Sequence, residues 1–262
     1  IRYKSMYRLI LLYAAALMAA ALIFDDPANI LPGLWKIVTM QDVLITDYVQ
    51  IAGPGAAFVN AGLVTAASVL LLYVAKDPLN GFTITEIGLM SGFALFGKNI
   101  FNIWPIILGT WLYAKFQKEP FSKYAAVALL ATALSPLVSY MTFDSRHAHP
   151  LLGLLIGIGI GMVLPPLSAY TYKVQNGMNL YNMGFACGLL AMMLVPVLEA
   201  VGDAPDSAFF WATGNNGRFA PLMVVLCLAF LLCGFFLTGK PAWAVWAGYR
   251  LSLIHISEPT RP

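Results

Sequence analysis

Long stretches without charged residues are the feature that most constrains how this chain folds. Tyr7–Phe24 carries one charged residue, Arg8, close to its start, and Phe219–Gly239 carries none. Similar stretches lie at Ala52–Ala75, Tyr124–Phe143, Leu151–Tyr172 and Met178–Ala200. A helix needs about 20 mainly apolar residues to cross a bilayer. The pattern therefore predicts an all-α fold, a polytopic transmembrane helical bundle embedded in a lipid bilayer.

The composition excludes a water-soluble globular protein. Hydrophobic residues make up 60% of the 262 residues and charged residues only 10%, whereas soluble domains have roughly 45–50% apolar and about 25% charged residues. The net charge of +3 is small and the basic residues are spread between the apolar stretches, so nucleic acid is not expected as a partner.

Basic residues accumulate on the cytoplasmic side of membrane proteins. The basic N-terminus and the loop with Lys115, Lys118 and Lys123 therefore predict a cytoplasmic N-terminus.

Two neighbouring apolar stretches, Thr83–Gly97 and Ile103–Phe116, are too short to cross a bilayer alone. The polar sequence KNIFN (98–102) separates them. Non-helical backbone inside a membrane occurs only where protein or a water-filled cavity covers it, so the pair predicts short broken or re-entrant helices. Leu151–Tyr172 contains two consecutive prolines, and for that reason we expect a broken or re-entrant helix there as well.

Two sequence patterns occur twice and in the same order, which predicts an internal duplication. G-x-x-x-x-N-x-G spans Gly55–Gly62 and Gly177–Gly184, and G-F-x-L-x-G-K spans Gly92–Lys98 and Gly234–Lys240. We therefore predict one membrane repeat unit at residues 7–116 and a second at 124–250. Whether the repeats are parallel or inverted stays open. Repeated halves are typical of membrane transporters, whose binding sites lie near the bilayer midplane.

Lys98 is the main candidate for function because it ends the first short apolar stretch and is followed by Asn99 and Asn102. A charged side chain at membrane depth is costly and marks a functional site by default. The alternative is that the linker reaches the membrane interface, where Lys98 extends toward water. Lys240 is not equivalent, since it follows a full-length stretch and lacks the asparagines.

A second candidate site consists of asparagines within longer apolar stretches, Asn60 in the first repeat and Asn179 and Asn182 in the second. Asn179 and Asn182 are a helical turn apart and would share one helix face. These side chains either contact the solute or form hydrogen bonds between helices, and both interpretations stay open. Glu86 lies near the start of a predicted helix, where a carboxylate stabilises the helix dipole, so we expect a capping or interfacial residue.

The sequence contains no catalytic triad, zinc-protease or phosphate-loop motif. Its densest polar set, Asp144, Arg146, His147 and His149, lies in one loop and is the only support for a membrane-embedded enzyme. We therefore expect no cofactor and no metal site.

Glycines at a spacing of four predict where helices pack closely. Gly153, Gly157 and Gly161 would line one face of a helix, and Gly88 and Gly92 form a shorter version of the same pattern. In membranes such stripes of small residues let two helix backbones approach each other.

Four runs, GAAFVNAGL (55–63), GFALFGKNIFNIWPIILG (92–109), AKFQKEPFSKY (114–124) and ALSPLVS (133–139), resemble a family of prokaryotic multi-pass membrane proteins known as domain of unknown function 1576. The resemblance covers most of Tyr7–Ala200 and is most specific at Phe96–Pro105. It implies an integral protein of the cell (inner) membrane with no known activity, and it supplies no catalytic residues.

The C-terminal stretch Leu251–Pro262, LSLIHISEPTRP, breaks the apolar pattern. It resembles the translation of a transposase sequencing adapter, and we therefore expect a non-native, adapter-derived tail. The second repeat would then be truncated at Arg250, and the chain would be a fragment of a longer protein.

These observations favour a transporter or channel for a small polar or anionic solute that passes close to Lys98 and the asparagines. The identity of the solute stays open. A membrane-embedded enzyme acting on a lipid or a lipid-linked substrate is the first alternative, and a non-transporting membrane scaffold or sensor is the second. A homo-oligomer is compatible with the sequence, although no pattern requires one.

Overall fold

The computed structural model describes residues 2–40, 45–77, 81–174, 182–203 and 209–238. Its helices are α1 (Arg2–Phe24), α2 (Pro27–Thr39), α3 (Tyr48–Ala52), α4 (Pro54–Ala75), α5 (Gly81–Phe93), α6 (Ile103–Phe116), α7 (Ala125–Ala131), α8 (Ser135–Phe143), α9 (Pro150–Val174), α10 (Asn182–Ala200) and α11 (Asn216–Thr238). Short 3-10 turns lie at Phe121–Lys123 and Thr132–Leu134. Two-residue strands, β1 (Ile45–Thr46) and β2 (Phe209–Phe210), pair in parallel. The predicted all-α fold is confirmed.

The chain forms two compact units, Ile1–Trp211 and Ala212–Pro262. The first contains α1 to α10, together with the linker between α5 and α6 and the loop after α8. In the second unit the structure describes α11. Lys240 and the predicted adapter-derived tail, Leu251–Pro262, lie outside the described residues. The two repeat units at 7–116 and 124–250 stay a prediction.

Six helical segments of the described residues are long and apolar enough to cross a membrane. They are Met6–Phe24, Pro54–Ala75, Ala125–Phe143, Pro150–Val174, Asn182–Ala200 and Asn216–Phe236. The segment Ala125–Phe143 combines α7 and α8, which the 3-10 turn between them joins. Each of the six overlaps a stretch that the sequence pattern predicts, and the protein is therefore a multi-pass membrane protein.

The helices α5 and α6 form the short pair that the sequence predicts. They contain 13 and 14 residues, and at 1.5 Å per residue each is about 20 Å long, less than the roughly 30 Å hydrocarbon core. α5 follows the C-terminal end of α4 in the sequence, and Trp111 of α6 lines a small cavity together with Leu71 and Lys76 from that same end of α4. The pair is thus a hairpin whose two ends lie near the end of α4, as expected of a re-entrant element.

The glycine stripe of α9 brings that helix against α6 and α8. A Cβ atom added at Gly157 would overlap the Pro105 side chain, and one at Gly161 would overlap the carbonyl oxygen of Ile106. Gly153 contacts α8 in the same way. The predicted close packing is therefore confirmed for α9, because only a hydrogen atom fits at these positions.

The shorter glycine pattern at Gly88 and Gly92 does not mark a helix contact. A Cβ atom added at either position would meet no atom within 4 Å among the described residues. The spacing of the two glycines does not predict a contact here, because no described helix covers this face of α5.

The predicted break in the segment Leu151–Tyr172 is wrong, because α9 runs without interruption through both prolines. Proline lacks an N–H group, so Pro165 leaves the carbonyl oxygen of Gly161, four residues earlier, without its helical donor. The hydroxyl of Thr110 in α6 donates a hydrogen bond to this oxygen at 3.0 Å. A neighbouring helix thus supplies the missing donor, which is how membrane helices tolerate proline.

We expect Gly161→Ala to destabilise the protein by about 1–3 kcal/mol, because the new methyl group must displace the α6 backbone. Gly159→Ala is the matched control on the same helix, since a Cβ atom there meets nothing within 4 Å in the described structure. Thermal unfolding of both purified variants in detergent measures the difference. Equal melting temperatures for the two variants would show that α6 and α9 do not pack through this stripe.

Candidate functional site

The linker between α5 and α6, residues 94–102, carries non-helical backbone inside the bundle and is held by the fully buried side chain of Asn60 in α4. The Asn60 amide nitrogen donates to the carbonyl oxygens of Ala94 at 2.7 Å and Lys98 at 2.9 Å. Its amide oxygen accepts the N–H of Ile100 at 3.2 Å. One side chain therefore satisfies three backbone groups that would otherwise be unpaired in a membrane.

Asn99 and Asn102 close the linker on itself by a reciprocal pair of hydrogen bonds. The N–H of Asn99 donates to Asn102 Oδ1 at 2.9 Å, and the N–H of Asn102 donates to Asn99 Oδ1 at 2.8 Å. The Asn102 amide nitrogen also donates to the Gly97 carbonyl at 3.0 Å and to Ser139 Oγ of α8 at 2.9 Å. Gly97 adopts a φ of 82°, a left-handed conformation that glycine takes at little cost.

The structure thus places Asn60, which the sequence analysis assigned to a second site, together with Asn99 and Asn102 around the linker. Their hydrogen bonds to the protein fit the interpretation that these asparagines connect helices. Contact of these three side chains with a solute stays a prediction.

Lys98 is buried, with 3% of its surface exposed. Its ammonium group lies 3.3 Å from the sulfur of Met90 and 5.1 Å from the ring centroid of Phe93. A thioether is a weak acceptor, and no carboxylate of the described residues lies within 4.0 Å of this ammonium group. The alternative in which Lys98 extends toward water at the membrane interface does not fit this burial, because such a lysine keeps its charged end in water.

The location of Glu86 differs from the one that the sequence predicts. The expectation of a capping or interfacial carboxylate is wrong, since α5 begins at Gly81 and Glu86 lies in its second turn with only 1% of its surface exposed. Neither carboxylate oxygen has a hydrogen-bond partner among the described residues. No signal in the sequence identifies this position, because the contact of Met90, on the same face of α5, with Lys98 is visible only in the structure.

Lys98 and Glu86 line one cavity of about 700 Å³ between α5, α7, α9 and α10. Its polar lining consists of Thr85, Glu86, Lys98, Ser168, Tyr172, Asn182 and Cys187, and the other lining residues are apolar. Asn182 accepts a hydrogen bond from Thr171 Oγ1 at 2.8 Å and donates to the Ser168 carbonyl at 2.8 Å. The structure thus brings two of the predicted residues, Lys98 and Asn182, to the same cavity. Asn179 lies outside the described residues.

The histidines of the polar loop after α8 make local contacts in the part of the chain that the structure describes. His149 Nδ1 accepts the N–H of Leu151 at 3.1 Å and so caps the start of α9. His147 lies 3.8 Å from Asp203 and is largely exposed. No three His, Cys, Asp or Glu side chains of the described residues could share a metal ion.

Asp203, just after α10, organises this loop and was not identified from the sequence. Its carboxylate accepts the N–H of Arg146 at 2.9 Å and the hydroxyl of Tyr140 at 3.0 Å. Burial raises the pKa of the Asp203 carboxyl, but these hydrogen bonds to its charged form outweigh that effect, and the pKa lies below its ordinary value of 3.8.

Comparison with protein families identifies the chain. A family model described as "Protein of unknown function (DUF1576)" matches residues 26–200. The chain belongs to the DUF1576 family. The DUF1576 match extends from α2 to α10 and includes the linker and the whole cavity. Comparison with curated proteins and with solved structures found no match. The activity of this DUF1576 protein therefore has to be argued from the cavity itself.

We expect Asn60→Ala to lower the free energy of unfolding by roughly 2–4 kcal/mol, because it leaves three buried backbone groups without their partner. Asn29→Ala is the control, since Asn29 is exposed and its hydrogen bond to Asp25 joins two side chains at the surface. Thermal unfolding in detergent measures both. A melting temperature for Asn60→Ala as high as that of the control would refute this role.

Asp203→Asn should change how stability depends on pH. Because the pKa of Asp203 is depressed in the folded state, its contacts stabilise the protein above about pH 3.8 and lose their effect as the pH falls through the folded pKa. The variant should therefore melt at a lower temperature than wild type near pH 7 and lose less stability on acidification. Glu199→Gln, at an exposed position near the end of α10, is the control. Parallel pH profiles for Asp203→Asn and wild type would contradict the assignment.

Proposed function

We propose that this DUF1576 protein is a transporter or channel for a small solute with an anionic group, which binds to Lys98 in the cavity between α5, α7, α9 and α10. The observation that carries the proposal is the buried Lys98 ammonium group, whose nearest polar contact is the sulfur of Met90 at 3.3 Å. An ionised side chain away from water is costly unless a charged partner compensates it. An anionic solute would supply that partner.

The size and lining of the cavity suit a small molecule. Ligand sites are typically clefts of about 300–1,000 Å³ with mainly apolar walls and a few polar groups that orient the ligand. The cavity volume of about 700 Å³ lies within that range, and its walls are apolar except for a few side chains. A solute of this size would be held by its charged group and excluded from lipid by the helices.

The re-entrant hairpin supports transport in particular. Transporters often bind their substrates where helices are interrupted near the bilayer midplane. Here the interruption is residues 94–102, and Lys98 belongs to it. The hydrogen bonds from Asn60 and Asn102 to the linker carbonyls would hold the backbone of Lys98 still, so that the ammonium group is presented in one place.

The proposal extends to the repeat and the orientation. Asn60 and Asn182 occupy matching positions of the predicted repeats, and both donate to backbone carbonyls of a neighbouring segment.

The hydroxyl of Tyr7 in α1 donates to the Asp77 carbonyl just after α4, so the start of α1 and the end of α4, with Arg8 and Lys76, lie on one side. By the positive-inside rule we assign this side to the cytoplasm of a prokaryotic cell and the protein to its inner membrane.

We expect Lys98→Met to weaken binding of a probe that carries an anionic group by about tenfold or more, the cost of losing one hydrogen bond to a charged group. The probes are methanesulfonate and taurine, whose sulfonate stays ionised and so does not cross lipid unaided. Osmotic swelling of liposomes that contain the full chain measures their uptake, and titration in detergent measures their binding.

Lys36→Met is the control for this experiment, because Lys36 is an exposed lysine of α2 away from the cavity. It should behave like wild type. Uptake of both probes no faster than in protein-free liposomes, together with binding that is the same in Lys98→Met and wild type, would reject the proposed function.

A further inference from the structure

Two groups that carry opposite charges when ionised face the same cavity without an ionic partner. The Glu86 carboxylate is 1% exposed and has no hydrogen-bond partner among the described residues. The Lys98 ammonium is 3% exposed and contacts a thioether and an aromatic ring. The two groups do not form an ion pair with each other within 4.0 Å in the described structure. The cavity therefore contains two unmatched polar ends.

Glu86 and Met90, the residue that the Lys98 ammonium contacts, are about one turn of α5 apart. Glu86 and Met90 are four residues apart, which places them on one helix face with an axial spacing of about 6 Å. Since the Lys98 ammonium lies against the Met90 sulfur, the carboxylate and the ammonium follow each other along the same wall of the cavity. The cavity of about 700 Å³ that both side chains line leaves room for a small ligand that contacts both of them.

The charge of the ligand follows from this arrangement. A simple anion at Lys98 would leave Glu86 without a partner, and a simple cation at Glu86 would leave Lys98 without one; a charge buried without a partner is strongly unfavourable. A ligand with both an anionic group and an ammonium group compensates both ends by charge-assisted hydrogen bonds. The apolar side chains of Phe93 and Leu130, which also line the cavity, would contact its carbon atoms.

We propose that the cavity binds a zwitterion whose anionic group contacts Lys98 and whose ammonium group contacts Glu86. This inference rests on the proposed function and names the substrate class of the same site. The zwitterion is either a free amino-acid-like solute or the headgroup of an aminophospholipid, since exposed Phe82 and Tyr172 also line the cavity. Both sources share the chemistry that the two residues recognise.

The test compares matched probes on the full chain purified in detergent, by calorimetric titration and by the shift in melting temperature. Taurine is compared with methanesulfonate and with ethylammonium, and β-alanine is compared with propionate. Wild type should bind each zwitterion at least tenfold more tightly than the corresponding ion with a single charge. Equal affinity for taurine and methanesulfonate would overturn the zwitterion while leaving an anion site at Lys98.

Glu86→Gln tests the second contact directly. The variant keeps the shape of the side chain, and it should bind taurine no better than methanesulfonate. Glu199→Gln, an exposed carboxylate at the end of α10, should keep the preference for taurine. A preference that survives Glu86→Gln would overturn the proposal, and the wild-type comparison decides it independently if Glu86→Gln does not fold.

Two further arms separate the outcomes. Lys98→Met that binds and transports both probes as wild type does would reject the proposed function together with the zwitterion site. Titration of taurine in nanodiscs of phosphatidylethanolamine and of phosphatidylglycerol distinguishes the two sources. Weaker taurine binding only in phosphatidylethanolamine identifies the lipid headgroup as the zwitterion, and equal binding in both identifies a free solute.

Discussion

The non-helical linker at residues 94–102 has to satisfy its backbone polar groups without water, and the hairpin of α5 and α6 depends on how it does so. Three buried asparagines supply most of the partners: Asn60 from α4, and Asn99 and Asn102 from the linker itself. In a bilayer each unsatisfied group costs several kcal/mol. The chain can therefore turn back inside the bundle only where these amides are present.

This solution also determines where the charged groups lie. Because Asn60 holds the Lys98 carbonyl, the Lys98 side chain starts from a fixed backbone and reaches the Met90 sulfur instead of water. The position of Lys98 in the cavity is thus a consequence of the same hydrogen bonds that stabilise the linker, and a change in the linker would alter the cavity.

The sequence located the polar linker between two short helices, because a lysine and two asparagines between short apolar stretches are costly to expose to lipid. It failed for Glu86, since the predicted start of α5 made that carboxylate look like a helix cap. It also failed for α9, where two prolines indicated a break. There a hydroxyl from another helix, Thr110, binds the carbonyl that Pro165 leaves free, and no local pattern could have revealed that partner.

Local physical chemistry was therefore sufficient to predict the six long apolar helices and the two short ones, apart from the break that it wrongly placed in α9. The length of an apolar stretch and the cost of a polar residue within it depend only on residues that are close together along the chain. The tertiary structure alone decided that Glu86, Lys98 and Asn182 line one cavity and that Asp203 holds the loop after α8. Those contacts join residues far apart in sequence, and they depend on how the helices pack, which no single segment determines.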